Sequence, residues 1–268
     1  MNTVRTVSDT KRDFYTYHTR PINSIYRRVV EELMVEMHLL SVNVDFNYDP
    51  IYGLGVVTCF DRFMQSYQPE NDKESIFNAL CQAVGGEAHQ YQEDAQRLKS
   101  SVESMSGEDL LSWFSSPTSE NGTGDLATTI AAIAQNSQFK YSRLFAIGLF
   151  SLLEQADSEL AQDQKQLEEV INKITSGLNL PSEKLKKDLE LYRSNLEKMA
   201  QARVVIEDAI QADRKKREER AKDKEKSATP SSDSTPSAEE ESDSSSDSSS
   251  DSSSDSSSDS SSDQAPSS

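Results

Sequence analysis

The chain has 268 residues, two cysteines, 34% hydrophobic residues and a formal charge of −18. From Thr229 onward there are ten acidic residues and no Lys or Arg, so residues 1–228 hold all 28 basic residues against 36 acidic ones and carry −8. This acidic balance argues against a nucleic-acid-binding body, and the longest apolar run, residues 144–153, is about half of the ~20 that a membrane span needs.

Ser8 is positioned to cap a first helix that runs to Tyr17 and breaks at Thr19-Arg20-Pro21. Pro21 then opens a second helix, where its missing N–H costs nothing. Ile22, Ile25, Tyr26, Val29, Val30, Leu33, Met34, Met37 and Leu40 recur at three and four, which gives one wide apolar face. Arg27 precedes Glu31 by four and Arg28 precedes Glu32 by four, so the outer face carries ion pairs. Residues 42–50 alternate (Val42, Val44, Phe46, Tyr48) but have no partner strand; they read as an extended connection that pins aromatics to the core.

Asp49-Pro50 opens a third helix, apolar on every side over residues 51–60 and therefore central. Gly53 and Gly55 within it would let a neighbouring helix approach closely. A fourth helix over residues 70–84 turns Ile76, Phe77, Leu80, Cys81 and Val84 inward and stops at Gly85-Gly86. A fifth over 87–105 has a weaker stripe, and Ser106-Gly107-Glu108-Asp109 resembles a capping box for a short helix ending near Phe114. Residues 115–124 read as a loop, followed by helices over about 125–136 and 139–155.

Beyond Asp157 charge becomes dense, and Tyr192 is the one aromatic before the tail. Leu185, Leu189, Tyr192, Leu196, Met199, Ile206 and Ile210 fall on one heptad seam, with Arg203 at the remaining position. Self-packing of this seam against Leu160, Leu167, Val170, Ile171, Ile174 and Leu178 is favoured over pairing with another chain. The turn at Asn179-Leu180-Pro181-Ser182 favours an antiparallel hairpin. Residues 213–226 mix eight basic with five acidic residues and no aromatic, a solvated helix extension rather than a nucleic-acid arm. The fold class is all-α. It comprises a helical core domain (1–155), a charged helical hairpin or coiled-coil extension (156–226) and a Ser/Asp-rich tail (227–268). That tail repeats D-S-S-S over 243–263 and cannot bury a core, so it is expected to be disordered.

Chemistry is sparse. His18, His38 and His89 are isolated from one another, with no second ligand suited to a metal at i+3 or i+4, and read as surface or part-buried side chains. Cys59 and Cys81 sit among apolar neighbours and read as buried free thiols of a reducing compartment. Glu31, Glu32 and Glu36 lack the Glu-x-x-His spacing of a di-metal helix. There is no G-x-S-x-G, no G-x-x-x-x-G-K-[ST] and no G-x-G-x-x-G. No catalytic residue, metal or cofactor is expected.

Several blocks in order carry a resemblance. T-V-S-D-T-K-R-D-F at 6–14 and H-T-R-P-I-N-S-I-Y-R-R-V-V-E-E-L at 18–33 resemble the opening of the thylakoid formation protein family. So do H-L-L-S-V-N-V-D-F at 38–46, G-V-V-T-C-F-D-R-F-M at 55–64, I-F-N-A-L-C at 76–81 and Y-S-R-L-F-A-I-G-L-F at 141–150. The resemblance is strong over 6–155, looser to about 212, and does not include the tail. It implies an all-helical, non-catalytic accessory factor of thylakoid biogenesis and photosystem II assembly or repair, with the thylakoid FtsH protease as partner. It also implies a peripheral place on the cytoplasmic side of the thylakoid in a cyanobacterium. A monomer is favoured, and the seam residues from Leu185 to Ile210 are the candidate partner contacts. The competing readings are a scaffold that self-associates through the seam, and a helical enzyme with an unrecognised site.

Overall fold

A computed structural model describes residues 5–117 and 124–227. Among them every regular element is helical, as the periodicities require. The Ser/Asp tail and most of the loop before residue 125 lie outside the described residues.

The first helix, α1 (Val7–Tyr17), starts two residues earlier than a cap at Ser8 predicts. Thr6 caps it, because Thr6 and Asp9 close a reciprocal capping box, whereas the residue three after Ser8 is Lys11. Similarly α2 (Ser24–Ser41) begins beyond Pro21, since the Asn23 side chain accepts from the Ile25 N–H at 3.2 Å. The predicted inward face of α2 holds: Tyr26, Val30, Leu33, Met34, Met37 and Leu40 are all buried.

Residues 43–49 form no strand. Phe46 and Tyr48 instead stack edge-on against Tyr52, at 5.0 and 5.9 Å between centroids. Tyr48 also meets Tyr91 at 5.2 Å and donates to Asp94 at 2.7 Å. Asp49 caps α3 (Pro50–Phe63), accepting from the Tyr52 N–H at 2.9 Å. Every residue of α3 from Ile51 to Phe60 is buried.

Helix α3 is the axle of the fold. It packs against α5 (Ala88–Val102) and, most extensively, against α8 (Arg143–Ala156). Backbone meets backbone there: a Cβ on Gly55 would lie 1.7 Å from the Leu144 carbonyl oxygen, and one on Gly148 would lie 1.9 Å from that of Ile51. Only residues without a side chain fit this crossing. The predicted role of Gly55 is therefore confirmed, while Gly53 faces the Tyr48 hydroxyl instead.

Helix α4 (Asp72–Ala83) packs on α1 and ends where Gly85 takes φ +81°, a conformation that favours glycine. Ser106 caps α6 (Gly107–Ser115) through the Asp109 N–H, and α7 (Asp125–Gln135) follows the loop. A five-residue helix the sequence did not announce, α9 (Ser158–Gln162), links α8 to α10 (Gln164–Gly177). The lone tryptophan, Trp113, lies half-buried on α6, and α6 packs against α10.

The last helix, α11 (Ser182–Ser227), follows α10 after a short turn. Across that turn Lys186 pairs with Glu168 at 3.0 Å and Ser182 donates to Asn172 at 2.8 Å. Farther along, Tyr192 stacks on Phe63 of α3 at 6.0 Å, and Arg203 donates to Ser66 at 2.8 Å. Apolar residues of α10 and α11 belong to the same core cluster as those of α2, α3 and α8. Described residues up to Lys215 form one compact unit, and those from Lys216 to Ser227 belong to a second.

Candidate functional site

A groove of about 590 Å³ is walled by α2 and α11. Its α2 wall is built from Ile25, Arg28, Val29, Glu32, Leu33 and Glu36, a strict three-and-four spacing along one helix edge. Tyr192, Asn195, Lys198, Met199 and Ala202 form the α11 wall by the same rule. Cys59 and Phe63 of α3, with Arg143 and Ile147 of α8, close the floor. A shallower depression of about 690 Å³ continues along α2 past Val35 and Leu39 to Tyr141, Lys184 and Asp188. Arg28, Glu32, Glu36 and Arg143 line both.

The ion pair that separates them is the best-formed polar contact of the site. Arg143 reaches the same Glu36 carboxylate oxygen through Nη2 at 2.5 Å and Nε at 3.1 Å. Burial pushes the Glu36 carboxyl up despite the attraction of Arg143. Nearby, Tyr141 donates to Asp188 at 2.8 Å, and the Lys184 ammonium stands 5.1 Å from the Tyr141 ring centre. The Tyr192 hydroxyl is buried beside the Arg62 guanidinium without a well-formed hydrogen bond to it.

Of the seam residues, Leu185, Leu189, Tyr192 and Met199 are buried and Leu196 is half-buried. Ile206 and Ile210 lie outside the residues whose side chains are described. Tyr192 and Met199 thus reach the groove, while Leu185 and Leu189 belong to the core. Arg203, the polar break in the seam, is accounted for by its bond to Ser66.

Sequence reasoning overlooked the opposite edge of α2. Val35, Leu39 and Val42 are exposed at 37, 57 and 37%, and Val44 in the following turn at 95%. The signal was present, since these residues fall off the inward stripe of α2 while remaining apolar.

The three glutamates of α2 go to separate partners. Glu31 takes Lys11 at 3.0 Å and the Tyr15 hydroxyl at 2.8 Å, Glu32 takes Arg28 at 3.2 Å, and Glu36 takes Arg143. Among the described residues no group of three or more His, Cys, Asp or Glu could hold a metal ion. Both cysteines are free and buried, and burial pushes each thiol up to about 12. The histidines correct the sequence reading: His18 and His38 are fully interior, at 2 and 3% exposure, while the His89 side chain is 81% exposed. No described helix is long and apolar enough to cross a membrane.

The pattern that defines the family described as "Thylakoid formation protein" matches residues 6–221, which take in α1 to α10 and most of α11. The chain belongs to the thylakoid formation protein family. It is 61% identical over 230 residues to Protein Thf1 of Nostoc punctiforme, covering 86% of this chain and 97% of that protein. To Protein Thf1 of Acaryochloris marina it is 53% identical over 231 residues, covering 86% and 93%. A solved structure of Psb29 superposes with a TM-score of 0.69 at 44% identity, covering 80% of this chain and 98% of that one. The family is described by thylakoid formation and not by a catalysed reaction.

Proposed function

We propose that this protein is a non-catalytic accessory factor of thylakoid biogenesis that serves photosystem II assembly and repair by binding and stabilising the thylakoid FtsH protease. Its place is then peripheral, on the cytoplasmic side of the thylakoid in a cyanobacterium, as a monomer. The observation that carries the reading is the family match over residues 6–221, with Thf1 relatives in cyanobacteria aligned over nearly their whole length. Support comes from a site whose chemistry suits holding a partner: apolar floor, paired charges on the rim, and titratable groups tied to one another.

The partner contact we assign to the α2–α11 groove and to the seam beyond it. Tyr192 and Met199 lie within the groove, Leu196 lies beside it, and Ile206 and Ile210 lie farther along the same helix. Leu185 and Leu189 hold α11 in place for that contact.

The test is affinity purification from thylakoids with full-length protein and with Met199→Glu, reading FtsH by immunoblot. Retention of FtsH by the first and its loss by the second, at equal helicity, supports the reading. Absence of FtsH with the intact protein refutes the partner. Undiminished FtsH with Met199→Glu refutes the surface. Sedimentation that finds a dimer would favour the self-associating scaffold instead, a reading that Val204 and Val205, exposed at 58 and 68% on α11, make concrete.

A further inference from the structure

Two of the three histidines are buried, and both stand at the seat of α1. His18 follows the last turn of α1. Its Nδ1 lies 3.0 Å from the Ser75 hydroxyl of α4, and its Nε2 is enclosed with no hydrogen-bond partner. His38 belongs to α2, and its Nδ1 lies 2.8 Å from the Thr10 hydroxyl of α1. Between them Phe14 is wholly buried, with its ring 6.1 Å from that of His18. One imidazole therefore pins the start of α1 to α2 and the other pins its end to α4.

A neutral imidazole suits each position. An imidazolium donates from both nitrogens, and at His18 the Nε2 proton would meet no acceptor. A buried donor left without a partner, bearing charge as well, favours any conformation that returns it to water. The charged groups around the two rings do not reverse this. Beside His18, Asp72 of α4 favours the cation and Arg20 opposes it, but these two are engaged with each other, and Tyr67 flanks the same pair. Beside His38, Arg5 opposes the cation and Asp9 favours it. Arg5 is engaged with Asp13, and Asp9 with Arg12 at 3.2 Å and with Thr6. Burial is the largest influence on both rings and holds both below the ordinary histidine value.

We propose that α1 is a proton-operated latch, seated on α2 and α4 while His18 and His38 are neutral and released when they are protonated. Release leaves the Lys11–Glu31 and Tyr15–Glu31 links, which lie nearer solvent, as the remaining ties. It uncovers the apolar seat of Phe14. For a base held below its unfolded value, the stabilisation is full above about pH 6.5 and is lost as pH falls below it. The latch is thus shut in mildly alkaline solution and opens in acid.

Amide hydrogen exchange of the full chain at pH 8 and pH 5, corrected for the intrinsic pH dependence, reads this directly. Opening is favoured as the rings take up protons, so α1 should lose protection at pH 5 relative to pH 8. Helices α3 and α8 should keep theirs. The double variant His18→Asn/His38→Asn keeps a polar atom near each Nδ1 and cannot take the charge, so its α1 protection should not vary with pH. Should that variant fail to fold, an NMR titration of the native chain decides. Two imidazoles titrating below about 6.5, together with the α1 resonances, support the latch. The proposal is overturned if α1 stays protected at pH 5, if α1, α3 and α8 open together, or if either ring titrates at or above that value.

Discussion

Replacing Gly148 by alanine sets two effects of opposite sign against each other. In an unobstructed helix interior the change stabilises by about 0.8–1 kcal/mol, because alanine loses less backbone freedom. Here the new Cβ would stand 1.9 Å from the Ile51 carbonyl oxygen, where ordinary contact begins near 3.4 Å. The obstruction is backbone, so no side chain can turn aside, and α3 and α8 must part by about 1.5 Å. A gap of 0.5–1 Å already forfeits a quarter to a half of each dispersion contact, and this interface is the most extensive in the fold. Overpacking of this kind costs roughly 3 kcal/mol, which outweighs the propensity gain and leaves a net loss of about 2 kcal/mol. For a unit of this size that is a fall in Tm of about 4–8 °C in a calorimetric scan. Gly55→Ala, whose Cβ would meet the Leu144 oxygen at 1.7 Å, should behave alike. The double variant should lose less than the sum, because helices already forced apart admit the second methyl more cheaply. A raised or unchanged Tm for Gly148→Ala would refute the close-crossing account.

Further expectations concern charge and packing. Burial raises the Asp49 carboxyl to about 7, so the ionised form is disfavoured in the folded chain although it caps α3. An acid raised on folding is most stabilising when protonated. Asp49→Asn, which keeps the acceptor, should therefore gain in Tm over the native chain from about pH 4 upward, with the gap levelling near 7; parallel Tm curves would contradict it. Arg143→Ala leaves Glu36 half-buried and unpaired and should cost about 1–3 kcal/mol in urea denaturation, the cost falling as pH is lowered because burial raises the Glu36 carboxyl and favours its neutral form. Tyr192→Phe removes a buried hydroxyl that lacks a well-formed hydrogen bond and should leave stability unchanged or raise it, whereas Tyr192→Ala should cost about 3–5 kcal/mol. Thiol titration of the native protein should find neither Cys59 nor Cys81 reactive until denaturant is added, given thiols raised to about 12.

What could be read from the sequence was what the chain settles locally. Asp49-Pro50 and the unbroken apolar run after it place the start and the central position of α3 without any tertiary knowledge. The cap of α1 was legible too, but only by asking which candidate can close a box: Thr6 finds Asp9, while Ser8 would find a lysine. Proline misled at α2 because it tolerates a first turn without requiring one, and the Asn23 side chain decides the start. The histidines were illegible for a different reason. The partner of His18 is 57 residues away and that of His38 is 28 away, so an isolated imidazole looks the same whether inside or out. The groove shares that difficulty, since its walls come from residues 25–36 and 192–202. Each wall shows as a helix edge, but no spacing within either announces that the two face each other.

The placement of the aromatic side chains gives the molecule two independent optical reporters. Trp113 lies on α6, against α10, while Tyr48, Tyr52 and Tyr91 cluster at the start of α3 and on α5. Indole emission excited near 295 nm therefore follows the α6–α10 contact alone, whereas tyrosine absorbance averages over nine tyrosines spread from α1 to α11. Coincident melting curves in the two channels would show one cooperative unit, and separated midpoints would show that the α6–α10 contact melts apart from the rest.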